Sequence, residues 1–147
     1  MLLGDTFRNV RSFLDEHGAK DIPIHADLPV WYDQVGEPVG WQSEAERDAW
    51  FADLGRSLAS ITLMAYERNT AARIEDGVGW EYLHFKGNVR LGLEASVGPG
   101  HTWPSFADLM TMVQLEEHLV QSRDVDIHDF TQFHDLASGP PQPTPTK

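Results

Sequence analysis

Four short apolar segments of this chain each end on polar, chemically capable residues, and helix-like stretches separate them. They are Ile22–Asp27, Ile61–Glu67, Val89–Glu94 and Val125–Phe130. Short strands alternating with helices predict a parallel sheet joined by right-handed crossovers. Strands covered by helices are expected to be apolar on both faces. This is the layout of a (β/α) barrel, whose chemistry sits at the C-terminal ends of its strands. A complete eight-stranded barrel needs about 250 residues, whereas this chain has 147. The expected fold is therefore α/β, a parallel (β/α) half-barrel of about four strands. A fragment of a barrel, a half that pairs with another half and a smaller open sheet all fit that count.

The stretches between the strands carry helix signals. Asp5 or Thr6 can cap a first helix whose Phe7, Val10 and Leu14 share one face, and Gly18 ends it. Ser43 with Glu46 forms a capping box ahead of Trp50, Phe51, Leu54 and Leu58. Thr70 opens a helix with Ile74, Val78 and Tyr82 inward, weakened by Gly77 and Gly79. Ser105 caps a long helix with Phe106, Met110, Val113 and Val120 inward, and Phe133 to Leu136 reads as a last helical turn. No linker divides the chain. Residues 1–137 read as one domain and 138–147 as a disordered, proline-rich tail.

Charge and composition exclude several function classes. The net charge is −12, with 23 acidic against 11 basic residues. Non-specific binding to nucleic acid or anionic membrane needs clustered Lys and Arg, so neither partner is expected. With no cysteine, disulfides, thiolate metal sites and cysteine nucleophiles are out of reach. Neither a secretory leader nor a membrane span is visible, which leaves the cytoplasm as the default location. No glycine-rich phosphate loop and no Gly-x-Ser-x-Gly elbow occurs. His25, His101 and His128 could join Asp27 or Asp129 around a metal. However, no His-x-His or His-Glu-x-x-His spacing is present, so no metal or other cofactor is expected.

Three strand ends read Met64-Ala65-Tyr66, Gly92-Leu93-Glu94 and Ile127-His128-Asp129-Phe130, the last after a long helix. This succession resembles the C-terminal half of bacterial TIM-barrel proteins similar to glycoside hydrolases, over about residues 20 to 135. In those proteins the last three strands read roughly M-A-Y-R, G-v-E and I-H-x-[YF]. The resemblance implies the second half of a TIM barrel and a carbohydrate ligand. Glu94 and His128 fall on the matching strand ends. The chain departs from the pattern at Glu67, where a basic residue is usual, and Arg68 follows one place later.

Glycoside hydrolysis needs two carboxyl groups flanking the scissile bond. Glu94, Asp129, Asp27 and Glu67 lie at or near strand exits, and Glu94 is the preferred member of such a pair. An acid at a strand exit can equally cap the next helix. Trp31, Tyr66 and Trp103 could stack on sugar faces, while Trp50 and Trp80 lie on helices and read as packing. His128 and His25 complete the candidate substrate-binding set. The expected function is a carbohydrate-active, glycosidase-like hydrolase or its acid-bearing half. The alternative is a non-catalytic half-barrel that binds a sugar or a partner subunit. Open sheet edges seek partners, so a homo-oligomer or a complementary half is also expected.

Overall fold

The computed structural model describes residues 2–36, 41–119 and 124–138. Helices and strands alternate from the start: α1 (Leu2–Glu16), β1 (His25–Pro29), α2 (Glu44–Ser57), β2 (Ser60–Met64) and α3 (Ala71–His84). They continue as β3 (Asn88–Glu94), α4 (Phe106–Leu119), β4 (Val125–His128) and α5 (Phe130–Ser138). The strands form one all-parallel sheet in the order β1-β2-β3-β4. Right-handed crossovers between sequential neighbours put every crossover helix on the same face of a sheet.

The helix starts follow their caps. Ser43 Oγ accepts from the Glu46 N–H at 3.2 Å, while Glu46 Oε2 accepts from the Gln42 N–H at 2.8 Å. Thr70 Oγ1 accepts from the Arg73 N–H at 3.4 Å, and Ser105 Oγ accepts from the Asp108 N–H at 3.2 Å. Such caps satisfy N–H groups that the helix itself leaves open. Helix α3 runs unbroken through Gly77 and Gly79 because Ile74 and Val78 are fully buried against the sheet. Tertiary packing here outweighs a propensity deficit of about 1 kcal/mol per glycine.

Register explains the core. Leu28, Leu63, Leu91 and Val125 form one row across the sheet, flanked by the row of Ala26, Ile61 and Val89. These rows belong to one cluster with Phe51 and Leu54 of α2, Ile74 and Val78 of α3, and Leu109 and Val113 of α4. Each fully buried Leu, Ile or Phe contributes about 1.5–3 kcal/mol of hydrophobic stabilisation.

The opposite face overturns one expectation, that the strands are apolar on both sides. It carries Asp27, Thr62, Arg90, Glu94, Asp126 and His128, all partly or fully exposed. Side chains alternate across a strand with period two, and only one face lies under helices. The other face is therefore free to be polar.

Two strand boundaries also differ from expectation. The first strand starts at His25, after the Ile22–Ile24 segment expected to form it. Pro23 lacks the N–H that a ladder needs, and Ile22 is 53% exposed. Ala26, Leu28 and Val30 supply the buried alternation instead. At the far end, β4 stops at His128, and Phe130 already belongs to α5. The expected final turn is thus part of a nine-residue helix. Val120 and residues 139–147, including nearly all of the expected tail, lie outside the described residues. No helix among the described residues is long and apolar enough to cross a membrane.

Candidate functional site

Glu94 is the last residue of β3, at the C-terminal edge of the sheet. The loop behind it folds back on itself: the Trp103 N–H donates to the Ser96 carbonyl at 3.0 Å, and the Gly98 N–H to the Trp103 carbonyl at 2.8 Å. Trp103 pins this loop. Its side chain is buried, and its indole Nε1–H donates to the Glu94 carbonyl at 2.8 Å. That fold-back brings the Thr102 hydroxyl to Glu94 Oε1 at 2.5 Å. On the other side, the Glu67 backbone N–H reaches the same oxygen at 2.5 Å. Both recorded bonds fall on Oε1. Among the described residues none donates to Oε2.

Glu67 reaches Glu94 by adopting a left-handed backbone, with φ of 62°. A side chain there costs about 1 kcal/mol, because Cβ crowds the following carbonyl. We expect Glu67→Gly to raise folding stability by about 0.5–1 kcal/mol, as glycine's larger unfolded-state entropy offsets part of the relief. Urea unfolding monitored by circular dichroism measures this, and a loss of stability would show that the turn is not strained.

Glu94 and Glu67 line one cleft of about 350 Å³, together with Ser96, His101 and Thr102. His101 Nδ1 lies 3.0 Å from Ser96 Oγ. A neighbouring cleft of about 440 Å³ shares Glu67 and is lined by Trp31, Met64, Tyr66, Arg68 and Arg73. Trp31 lies just beyond β1 and is 43% exposed. The loop that carries it is tied down by buried Trp41, whose Nε1–H donates to the Tyr32 carbonyl at 2.6 Å.

Behind the clefts, the open face of the sheet is held by a salt bridge between strands. Arg90 Nε and Nη2 donate to Asp126 Oδ2 and Oδ1 at 2.7 and 2.6 Å, and Nη1 donates to Asp124 at 3.0 Å. The guanidinium bonds hold the Asp126 carboxyl below the usual carboxylate range and raise the pKa of Arg90 in return. Tyr66 stacks on His128 with ring centroids 5.4 Å apart and planes 28° apart. Its phenol is pushed above its ordinary pKa of 10.0, first by burial and then by the charges of Asp27, Glu94 and Asp126. It therefore keeps its proton at neutral pH and can donate a hydrogen bond.

Of the candidate acids, Glu94 and Glu67 come together. Asp27 is in the body of β1, in register with Thr62 and Arg90. Its Cα is about 13 Å from that of Glu94 along the strand direction, at about 3.3 Å per residue. Asp129 caps α5, its Oδ1 accepting from the Gln132 N–H at 2.9 Å. Of the candidate binding residues, Trp31 and Tyr66 line the second cleft, and His128 stacks behind it. His25 begins β1 at the opposite end of the sheet, with Nδ1 2.6 Å from Ser60 Oγ. Trp103 is only 2% exposed and serves as an anchor. Among the described residues, no group of three or more His, Asp or Glu is arranged to hold a metal ion.

Thr102, Arg73 and the Arg90–Asp126 pair were not singled out by sequence reasoning, and His101 was considered there only as a metal ligand. Period-two alternation in Val89–Glu94 and Val125–His128 does mark Arg90, Glu94, Asp126 and His128 as sharing one face. Nothing local marks Thr102 or Arg73. Compared with known proteins, the chain matches no family model, no curated protein and no solved structure.

Proposed function

We propose that the strand ends form a carbohydrate-binding cleft with glycosidase-like chemistry, in which Glu94 and Glu67 are the working carboxyl pair. The observation that carries this reading is that two carboxyl groups from adjacent strand ends line one cleft, one of them oriented by two donors. Glycoside cleavage needs one carboxyl to protonate the leaving oxygen and another to attack the sugar or activate water. Glu94 Oε1 already accepts two hydrogen bonds, which suits Glu94 to the accepting role of nucleophile or base. Glu67 is exposed on its turn and takes the role of acid. The exposed ring of Trp31 and the phenol of Tyr66 supply a flat surface and a hydrogen-bond donor for a sugar.

The same reading gives the sheet its larger context. Sequential parallel strands with crossover helices on one face are consistent with the second half of a TIM barrel, although the other face is polar here where a barrel interior is packed mainly with Val, Ile and Leu. Titrating isotope-labelled protein with a panel of neutral and acidic oligosaccharides tests the binding claim. Saturable shifts at the amides of Glu67, Glu94 and Thr102 are expected. An unresponsive spectrum at millimolar ligand would remove the carbohydrate reading.

The lateral edges of β1 and β4 have no neighbouring strand among the described residues. Helix α1, which packs against α2, leaves Leu3, Val10 and Phe13 at least 38% exposed. Open sheet edges and exposed apolar side chains favour association. Light scattering at micromolar concentration is expected to give a dimer or larger, and a compact monomer would contradict this.

A further inference from the structure

We propose that the sugar bound here carries a carboxylate, as a uronic acid does, and that Arg73 and Arg68 recognise it. This rests on the carbohydrate reading above and narrows it to a substrate class. It is argued from where the arginines without an ion-pair partner are found. Arg8, Arg11, Arg47, Arg56 and Arg90 each form an ion pair with an aspartate. In a chain with 23 acidic residues, such pairing is easy to achieve. Among the described residues, Arg68 and Arg73 are the two arginines without a carboxylate at ion-pair distance, and both line the cleft beside Glu67.

Their hydrogen bonds orient them. Arg68 Nη1 donates to the Arg73 carbonyl at 2.5 Å, and Arg73 Nη1 lies 3.4 Å from Asn69 Oδ1. The Arg68 guanidinium rests against Gly77, where an added Cβ would come within 2.5 Å of Nη1. Each guanidinium presents five donors in a planar fork, and these bonds engage few of them. Glu67 lines the same cleft and the charge of Arg68 is felt at Asp33, but neither carboxylate is at ion-pair distance from these guanidiniums; a bound anion would relieve the remaining repulsion between the two cations. The planar fork matches a carboxylate in bidentate fashion.

Trp31, Met64 and Tyr66 line the same cleft and offer the apolar surface a sugar ring needs. The net charge of −12 opposes an anion at long range. At physiological salt that field is screened beyond about 8 Å, so contact with the two arginines decides.

Calorimetric titration of the full chain with two oligosaccharides of one linkage, differing only in oxidation of C6 to a carboxylate, tests this. The uronate is expected to bind about tenfold to a hundredfold more tightly, the range of a charge-assisted hydrogen bond. Arg73→Gln, at an exposed site with little bearing on folding, is expected to reduce uronate affinity to that of the neutral sugar. The neutral sugar, which lacks the carboxylate, should lose much less affinity than the uronate. Equal affinities in the wild type would overturn the proposal and leave the carbohydrate reading standing. A uronate preference that survives both Arg73→Gln and Arg68→Gln would overturn the assignment to these arginines. Equal binding of a sulfated oligomer would overturn recognition of a carboxylate in favour of any anion. Binding of none of the oligomers would remove the carbohydrate reading and this proposal with it.

Discussion

Replacing Glu81 with leucine is expected to stabilise the protein at pH 8 by on the order of 4 kcal/mol. Glu81 sits on α3 with no exposed surface, and neither carboxyl oxygen has a hydrogen-bond partner among the described residues. Burial, followed by the charge of Asp33, pushes its carboxyl from an ordinary 4.5 up to about 8, against the opposing pull of its own backbone N–H, which is too poorly aligned to form a hydrogen bond, and of Arg47. Each tenfold change in proton affinity is worth about 1.4 kcal/mol, which sets the size of the effect. Between pH 4.5 and 8 the native carboxyl is protonated while the unfolded one is ionised. The native state then binds more protons, so stability falls as pH rises. The contribution is fully present below the unfolded pKa and is lost as pH rises through about 8. Leucine has no such dependence. Denaturant unfolding at pH 5 and pH 8 should show the gain from the substitution widening with pH. A variant less stable than wild type at pH 8 would show that the carboxyl is satisfied in the native state.

Glu81 also shows how a residue can be legible and still be passed over. It lies at i+7 from Ile74 and i+3 from Val78, on the buried face of the same helix. Reading that stripe as Ile74, Val78 and Tyr82 steps over the acid between them. Other elements were plain. Ser43, Thr70 and Ser105 each mark a helix start because a hydroxyl satisfies a donor nearby in sequence. Strands β2 and β3 were legible because an apolar run between a helix end and a polar exit has few other uses in an α/β chain. The first strand was misplaced because Ile22 and Ile24 outweighed the effect of Pro23. Moving it to His25 carried His25 and Asp27 away from the strand exit.

The site was legible only where chemistry coincided with strand ends. Glu94 and Tyr66 could be found that way. The partner groups could not, because they depend on how two loops close. Thr102 reaches Glu94 through a turn pinned by Trp103, and sequence alone gave no reason to read that tryptophan as an anchor instead of a sugar platform. Glu67 meets Glu94 through its backbone N–H, a role that side-chain identity does not reveal. The Arg90–Asp126 pair joins residues 36 positions apart and depends on the register of β3 with β4.

The second large effect concerns Glu94 itself. Glu94→Gln keeps the size of the side chain and leaves Oε1-type acceptance of the Glu67 and Thr102 donors possible, so the fold should hold. It removes the ionisable group that acid–base or nucleophilic work requires, and such groups contribute about 10²–10⁴-fold in rate. The most direct measurement is the rate of glycoside cleavage by wild type and Glu94→Gln, together with the affinity of each for the same sugar. Turnover by the wild type, a loss of at least about a hundredfold in kcat in the variant, and nearly unchanged binding are expected. Equal turnover by the two proteins, or none by the wild type on a sugar it demonstrably binds, would contradict this reading.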